Sequence, residues 1–363
     1  MKLERLEVKV FRIPTDRPEA DGTASWDATT MVLVELQGEG GVQGLGWSYA
    51  SAAAATVVQE QLRPVLEGRP ISDTHSAWTA MLASVRNIGR QGVAATAISA
   101  VDIALWDLHA RAHELPLFRL LAPHRDSVPI YGSGGFTSYT VDQLVEQLGG
   151  WVAAGISRVK MKIGTDWGTR LDVDRRRIVA VREAIGPEAE LFIDANGAYT
   201  AKQAIGLARE LEAATSYFEE PVSSDQLQQL ALIRRAIQQD VAAGEYGYDP
   251  WYFDAMLQAG AVDILQADAT RCLGITGFLI AANSAYSHGI PFSAHTSPTV
   301  HCHAGCAAPQ LSHVEYFHDH ARIEAMLFDG APQPQGGELR PAPERPGLGV
   351  ELKSADGERF RVS

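Results

Sequence analysis

The sequence is most informative at Arg158-Val159-Lys160-Met161-Lys162-Ile163, where basic and apolar residues alternate. Successive side chains of a β-strand point to opposite faces, so Lys160 and Lys162 share one face and the three apolar residues share the other. A stretch of helical spacing follows this run, as expected for one β-α unit of a parallel sheet. The stretch therefore predicts a strand with one ionised and one buried face.

Short apolar runs of this kind recur along the rest of the chain and alternate with stretches of helical spacing. The other runs are 128–131, 190–194, 216–219, 241–245, 262–268, 290–295 and 312–316. Alternating strands and helices are typical of parallel β-α units. With the run at 158–163, the pattern predicts an α/β fold of the barrel type.

The beginning of the chain has a different pattern. Residues 3–11, 31–36 and 42–47 alternate as strands do, and a glycine-rich turn separates the last two. Residues 94–112 carry apolar side chains at helical spacing. Strands followed by helices predict a compact α+β unit.

A chain of 363 residues exceeds what one hydrophobic core usually serves. We therefore predict an N-terminal α+β domain over residues 1–125 and a barrel domain over residues 126–331. A tail of about residues 332–363 is rich in Pro and Gly. We expect it to pack back on the N-terminal domain.

The composition argues against two classes of partner. A formal net charge of -13 disfavours nucleic acid and anionic membranes, because both attract clustered Lys and Arg. The three cysteines form neither a C-x-x-C pair nor a disulfide framework, which fits a reducing cytoplasm. Residues 1–10 alternate like a strand and lack the apolar core of a signal peptide. We predict a cytoplasmic protein that acts on small molecules.

Acidic residues end three successive predicted strands, at Asp194, Glu219 and Glu245. The C-terminal ends of parallel barrel strands open on one face, where active sites lie. Three neighbouring carboxylates repel one another, and Mg²⁺, which prefers oxygen ligands, would hold them together. Any one of these acids alone is better explained as a solvated loop residue. Three in consecutive units favour a magnesium site, and we call them the carboxylate cluster.

Lys160 and Lys162 are the next candidates. Their strand positions are about 6.6 Å apart. At an effective dielectric of about 20 the two ammonium groups would repel by roughly 2.5 kcal/mol, or about two pKa units. The pair therefore predicts one lysine whose pKa is lowered enough for a base near neutral pH. A solvated strand edge is the alternative for an isolated Lys-x-Lys.

His295 and Asp268 end neighbouring predicted strands, so the two side chains can meet. A carboxylate that accepts from one imidazole nitrogen fixes the tautomer and makes the other nitrogen more basic. The strands of Lys162 and His295 lie about 135° apart around a barrel, at roughly 45° per strand. The two residues could thus approach a substrate carbon from different faces. A single histidine is otherwise more often a structural hydrogen-bonding residue.

The order of these residues resembles the enolase superfamily, and within it the mandelate racemase subgroup. The resemblance covers nearly the whole chain. Its motifs are Lys160-Met161-Lys162, Asp194-Ala195-Asn196, Glu219-Glu220-Pro221, Gly244-Glu245, Asp268, His295 and Glu315. It implies a modified (β/α)7β TIM-type barrel with an α+β N-terminal capping domain. One departure is Arg271-Cys272-Leu273-Gly274, where a double glycine is common; it removes no catalytic group.

The resemblance also implies a role for each residue. Mg²⁺ would bind the carboxylate cluster, while Lys162 and the histidine–aspartate pair would act as acid/base catalysts. Lys160 and Glu315 would hold the substrate carboxylate and its enediolate. Asn196 would lie close enough to contact the substrate.

The subgroup includes racemases, epimerases and acid-sugar dehydratases, which share magnesium-dependent removal of the proton next to a carboxylate. We predict a dehydratase of a sugar acid, with His295 as the acid that helps a β-hydroxyl leave. The reason is the polar segment 16–23, predicted to form a capping loop that suits a polyol. Racemisation or epimerisation of a 2-hydroxy acid is the alternative within the class. A non-catalytic sugar-acid binding protein is the alternative outside it. We also expect a homo-oligomer.

Overall fold

The computed structural model describes residues 1–362, and its first part is built on a three-stranded antiparallel sheet. In sheet order the strands are β1 (Leu3–Ala20), β2 (Ser25–Gly38) and β3 (Gln43–Tyr49). The helices are α1 (Ala53–Val57), α2 (Arg63–Leu66), α3 (Thr74–Ser84), α4 (Val93–Ala112) and α5 (Leu117–Leu120). Helix α4 packs directly on β3, where a Cβ on Gly46 would lie 2.2 Å from the carbonyl oxygen of Ala100.

Within residues 1–362, eight parallel strands form a closed barrel. They are β4 (Val128–Gly134), β5 (Arg158–Lys162), β6 (Glu190–Asp194), β7 (Tyr217–Glu219), β8 (Asp240–Ala243), β9 (Ile264–Ala267), β10 (Phe292–Ala294) and β11 (Leu311–Phe317). The barrel closes because β11 pairs with β4, with Glu315 opposite Tyr131. The barrel and its antiparallel N-terminal sheet confirm the predicted fold class.

Helices connect and cover the barrel strands. They are α6 (Val141–Ala153), the single turn α7 (Thr165–Gly168), α8 (Leu171–Ile185), α9 (Ala201–Glu210), α10 (Leu227–Arg234), α11 (Pro250–Gln258), α12 (Gly274–Ser287), α13 (Pro298–Ala307) and α14 (His318–Leu327). Several start at side-chain caps that satisfy free backbone N–H groups, as Thr140 does for α6 and Thr200 for α9.

The barrel interior has two layers of different chemistry. Phe192 and Tyr217 stack with ring centroids 4.4 Å apart and help to fill the lower layer. Two residues further along the same strands, Asp194 and Glu219 pair in register at the barrel mouth. Because side chains repeat with a period of two, the same inward face changes from aromatic to ionised.

The predicted strands are correct in position, but three of them were predicted to extend too far at their C-terminal ends. Strands β8, β9 and β10 end one or two residues before Glu245, Asp268 and His295. These three side chains therefore stand on the first loop residues, where the chain turns over the barrel and can aim a polar group at the centre.

Helix α4 is the core helix of the N-terminal part. By length and composition it could cross a membrane, yet 83% of its most apolar window is buried inside the protein. Its buried Asp102 accepts hydrogen bonds from the backbone N–H and the hydroxyl of Thr276, at 2.9 and 2.8 Å. The apolar surface of α4 is thus used in packing, and Asp102, one of its two buried acids, joins it to α12.

The C-terminal tail contacts both parts of the molecule. Its elements are β12 (Phe328–Asp329), β13 (Glu338–Leu339), β14 (Glu351–Leu352) and α15 (Ser354–Gly357). Strand β13 pairs with β4 of the barrel, while Glu351 accepts from Arg111 of α4 at 2.5 Å. The predicted domain boundaries at residues 125 and 331 stay predictions.

A long hairpin of β1 and β2 reaches across to the barrel mouth. The backbone N–H of Thr137 donates to Ala20 at 2.8 Å, and that of Trp167 donates to Gly22 at 3.0 Å. Residues 16–20 belong to β1, so the expectation that all of 16–23 forms a loop was wrong. Regular strand pairing is interrupted between Pro14 and Glu19 and resumes at Glu19 and Ala20, and the turn comes only after Ala20.

Gly22 allows the tip of the hairpin to pack closely on the barrel, and Gly22→Ala is expected to move the tip away from the barrel. The added Cβ would lie 2.8 Å from the carbonyl oxygens of both Ala195 and Ile163, closer than a Cβ can approach. Since these backbones lead directly from the strands of Asp194 and Lys162, the change should disturb the cover of the site. We expect KM to rise about tenfold, a loss of about 1.4 kcal/mol in binding.

The Gly22→Ala measurement needs steady-state kinetics and a Mg²⁺ titration of the same preparation. Mg²⁺ affinity should stay within about twofold, since the residues predicted to bind the metal stand on the barrel. Gly149→Ala is the matched control, because its Cβ would meet nothing within 4 Å. An unchanged KM in Gly22→Ala would show that the hairpin tip does not cover the bound substrate.

Candidate active site

The carboxylate cluster lies at the barrel mouth. Asp194 ends β6, Glu219 ends β7, and Glu245 follows β8; all three are buried, with one oxygen of each within 4.8 Å of the others. Gly244 directs Glu245 into this group. It has a φ of 134°, and a Cβ there would lie 1.9 Å from the carbonyl oxygen of Gln266, so no other residue fits this turn.

The donor set of the cluster fits a hard divalent cation. All three side chains offer carboxylate oxygens, the ligands that Mg²⁺ prefers. Among residues 1–362, the Oε2 atom of Glu219 is buried without a hydrogen-bond partner. Burial, together with the charges of Asp194 and Glu315, raises the pKa of Glu219 to about 8 despite the nearby Lys160. A bound cation would reverse this repulsion and supply the missing partner.

The two lysines occupy different depths. Lys162 lines the central cavity, and its Nζ lies 2.5 Å from Asp194. Lys160 is completely buried below it, with Nζ 2.6 Å from Glu219 and 2.9 Å from Glu315. The inward direction of both residues agrees with the strand alternation. Their depths differ because Lys160 stands one strand repeat nearer the aromatic layer.

We expected repulsion between the two lysines to lower the pKa of one of them. With the charges of the protein alone, this prediction was wrong. Burial lowers the pKa of Lys162, and Lys160 lowers it further, but the acids Asp194, Glu245 and Glu315 together outweigh these two effects and raise it above its ordinary value. Glu219 and Glu315 likewise hold the pKa of Lys160 far above its ordinary value against the effect of burial. The acids that gather around the lysines were left out of the two-charge calculation. Positive charge on the carboxylate cluster would offset them.

His295 and Asp268 form a close pair. The Nδ1 atom of His295 lies 2.8 Å from Oδ2 of Asp268, whose other oxygen accepts from the N–H and the hydroxyl of Thr270. Burial lowers the pKa of His295, but Glu245, Glu315 and Asp268 together raise it to about 9. With Nδ1 donating to Asp268, Nε2 is directed to the cavity side, 3.2 Å from Glu245.

Glu315 and Asn196 complete the predicted set. Glu315 accepts from the hydroxyl of Ser133 at 2.5 Å and from the backbone N–H of Thr296 at 3.1 Å, in addition to Lys160. These donors fix its carboxylate at the cavity edge. Asn196 also lines the cavity, and its Oδ1 atom has no hydrogen-bond partner within the described chain.

The cavity has a volume of about 510 Å³ and lies between the barrel mouth and the β1–β2 hairpin. Of the predicted site residues, the structure brings Lys162, Asn196, Glu245, His295 and Glu315 to its surface. The remaining four predicted residues lie behind this surface as hydrogen-bond or ion-pair partners. Those four are Lys160, Asp194, Glu219 and Asp268.

The sequence revealed only part of the other side of the cavity, since the predicted capping segment 16–23 includes Asp21 but not the rest of that side. Six residues of the hairpin line it, and we call them the hairpin wall: Asp21, Ala24, Trp26, Ala28, Thr29 and Thr30. Ser133, which orients Glu315, was also missed. The alternation of Trp26, Ala28 and Thr30 was a signal for a strand, but it did not indicate that the strand covers a barrel.

Two family models match the chain. The model described as "Mandelate racemase / muconate lactonizing enzyme, N-terminal domain" matches residues 5–122. The model described as "Enolase C-terminal domain-like" matches residues 143–356. The two matches follow one another along the chain and together span most of it.

Solved structures and characterised enzymes are similar to this chain over most of its length. A mandelate racemase/muconate lactonizing enzyme-like protein from Rubrobacter xylanophilus has 50% identity and a TM-score of 0.96, covering 100% of both chains. A racemase from Streptomyces coelicolor, solved with bound magnesium, has 30% identity and a TM-score of 0.93 over 99% of this chain and 100% of that chain. An L-talarate/galactarate dehydratase from Salmonella typhimurium is 32% identical over 308 residues, 83% of this chain and 77% of its own.

These similarities confirm the predicted class of chemistry. The relatives are named dehydratases and racemases, which favours an enzyme over the non-catalytic binding protein considered above. Bound magnesium in a neighbouring structure and the oxygen-only cluster at the barrel mouth confirm magnesium as the cofactor. The chain belongs to the mandelate racemase/muconate lactonizing enzyme family of the enolase superfamily.

Proposed function

We propose that this protein is a magnesium-dependent dehydratase of a sugar acid. One observation carries the proposal: a lysine and an aspartate-paired histidine border the same cavity beside three carboxylates suited to a divalent cation. The similarity to an L-talarate/galactarate dehydratase supports the same reaction. The hydroxyl groups of Thr29 and Thr30 in the hairpin wall support a hydroxylated substrate.

Metal binding is assigned to Asp194, Glu219 and Glu245. Mg²⁺ held there would supply positive charge to the substrate carboxylate as its negative charge grows. Lys160 and Glu315 are buried against this cluster, and we assign them to the substrate carboxylate and its enediolate, with the positive charge of Lys160 offsetting the repulsion between Glu315 and the bound anion. Lys160 acts through its ion pair with Glu315, which itself reaches the cavity.

The first chemical step is assigned to Lys162. In its neutral form, Nζ takes the proton from the carbon next to the carboxylate. The electron pair of that C–H bond moves into the carboxylate and gives an enediolate. Such a proton is far too weakly acidic for a lysine to remove unless preorganised positive charge stabilises the product. The lysine must therefore lie next to the carboxylate cluster that would hold Mg²⁺.

The second step is assigned to His295. Its protonated ring gives the Nε2 proton to the β-hydroxyl as the C–O bond breaks, and the hydroxyl leaves as water with the bonding pair. The enediolate electrons form the new double bond, and the resulting enol becomes a 2-oxo acid. Asp268 holds the ring in place and stabilises its positive charge.

Incubation in D₂O with a panel of sugar acids tests this proposal. Dehydration predicts a 2-oxo product and solvent deuterium in that product. NMR and mass spectrometry measure both. If no sugar acid loses water while the enzyme carries bound Mg²⁺, the dehydratase assignment is wrong.

Racemisation or epimerisation is the second candidate. It is favoured by two potential bases on different sides of one cavity and by the similarity to a racemase. Under that mechanism His295 would return a proton to the opposite face, and no bond to oxygen would break. The D₂O experiment would then show inversion with deuterium at the α-carbon and no loss of water.

The location and assembly of the enzyme are also proposals. We propose a cytoplasmic enzyme, because Cys272, Cys302 and Cys306 are buried free thiols that suit a reducing compartment. We further propose a homo-oligomer, since most soluble oligomers are symmetric assemblies of one chain. Light scattering after size-exclusion chromatography measures the assembly.

A further inference from the structure

The cavity has two ends with different electrostatics. At the barrel end lie the groups that would bind the metal and the reacting carboxylate. The hairpin wall forms the opposite side and faces the rest of any substrate held by that carboxylate. The charge of the hairpin wall therefore determines which far end the substrate can have.

Within residues 1–362, the hairpin wall contributes neither lysine nor arginine to the cavity. The basic residues that do line the cavity stand on barrel elements. Lys162 and His295 belong to the reacting end. Arg271 also lies there, because Nη1 is 3.4 Å from Glu245 and Nε is 3.7 Å from Asp268. All three are already paired with acids of the reacting end.

His320 lines the cavity as well, but it is not a cation near neutral pH. Its ring stacks on Tyr49 with centroids 3.4 Å apart, and its Nδ1 accepts from the backbone N–H of Ser297 at 3.3 Å. Burial, and then the charge of His295, holds its pKa well below the ordinary value. The ring therefore offers a flat neutral surface.

Acids surround the hairpin wall from behind. The indole N–H of Trp26 donates to Glu19 at 2.8 Å, and the hydroxyl of Thr29 donates to Asp319. Arg322 pairs with Asp319, yet burial and the charge of Asp319 still raise the pKa of Glu19 to about 8. On this side of the cavity, the acidic groups already disfavour the ionisation of one another. Asp21 adds a further carboxylate to the hairpin wall itself.

We propose that the substrate is a sugar acid with one carboxylate, whose far end is a neutral hydroxymethyl or methyl group. A second carboxylate would lose its hydration shell at the hairpin wall without gaining a cationic partner, and this desolvation costs binding free energy. The wall offers neutral contacts instead, from the threonine hydroxyls and the indole ring. This inference rests on the proposed dehydratase function. It separates the chain from the L-talarate/galactarate dehydratase that it resembles, whose named substrates carry two carboxylates.

The test compares pairs of sugar acids that share every stereocentre and differ only in the last carbon. One member of each pair ends in CH₂OH and the other in a carboxylate. For every configuration that reacts, we expect kcat/KM of the monoacid to exceed that of the diacid by at least about 100-fold, because an unpaired buried charge discriminates strongly. Deuterium exchange is measured for the same pairs.

Ala28→Lys provides the complementary variant. Ala28 lies in the hairpin wall and is half-buried, so a longer side chain can enter the cavity. We expect Ala28→Lys to shift the ratio of kcat/KM toward the diacid by at least about tenfold, as expected for a new ion pair. Ala28→Met, of similar length but neutral, is the matched control and should leave the ratio within about threefold.

The outcomes separate this inference from the function on which it rests. If diacids exchange and react at least as well as monoacids, the inference is overturned and the dehydratase function stands. If neither kind exchanges deuterium in any configuration, both are overturned. Equal shifts in Ala28→Lys and Ala28→Met would overturn the electrostatic explanation of the selectivity.

Discussion

Lys162→Ala is expected to lower kcat by at least about 10³-fold, within the range for loss of a positioned base. The side chain borders the cavity and lies 2.5 Å from Asp194, where the proposed mechanism needs a base beside the carbon that loses its proton. Mg²⁺ should still bind, because removing a positive charge next to Asp194 does not weaken its attraction for a cation. Solvent-deuterium exchange and isothermal titration calorimetry with Mg²⁺ measure the two quantities independently.

Lys202→Ala is the control for this experiment, since Lys202 is an exposed lysine in the first turn of α9. It should exchange and turn over substrate as the unmodified enzyme does. Undiminished deuterium exchange in Lys162→Ala would remove the lysine from the first step. A loss of Mg²⁺ affinity together with activity would instead assign it to the support of the metal site.

Glu219→Gln should weaken Mg²⁺ binding by roughly 100-fold or more, because ligand charge strongly controls the affinity of such sites. The change keeps the size of the side chain and removes its charge. It also leaves the buried Lys160 with a weaker partner, since the present Nζ to Oε1 distance is 2.6 Å. Calorimetry measures the affinity, and activity should recover partly at high Mg²⁺ concentration.

Glu212→Gln is the matched control, because Glu212 is an exposed acid in the connection that precedes β7. Its Mg²⁺ affinity should equal that of the unmodified enzyme. Full Mg²⁺ affinity in Glu219→Gln would exclude Glu219 as a ligand. Lost activity without any recovery at high Mg²⁺ would indicate damage to the Lys160 network rather than to the metal site.

The strand pattern made the inner face of the barrel predictable. Alternation placed Lys160 and Lys162 on one side, and one acid per β-α unit placed the carboxylate cluster at one mouth. The position of Glu245 in its loop depends on the backbone conformation of Gly244. A glycine is required there because β8 pairs with β9, which brings the carbonyl oxygen of Gln266 against Gly244. Local alternation carries no information about such a close approach.

Beyond Asp21, the hairpin wall could not be predicted for a related reason. Its position depends on the contact of Gly22 with Ala195, and residues so far apart in the chain leave no periodic signal for their contact. The prediction of a lowered lysine pKa was wrong because it considered only the two lysine charges, whereas several buried acids also act on them. Glu219 and Glu315 approach Lys160 from other strands, and their effect exceeds that of the second lysine.

A structure determined with Mn²⁺ in place of Mg²⁺, using its anomalous signal, tests the central claim most directly. We predict one ion bound to carboxylate oxygens of Asp194, Glu219 and Glu245, at distances of about 2.1 Å. The ion should border the cavity between Lys162 and His295. An ion bound elsewhere, with Asp194 and Glu219 still paired to the lysines and Glu245 to His295, would contradict the account.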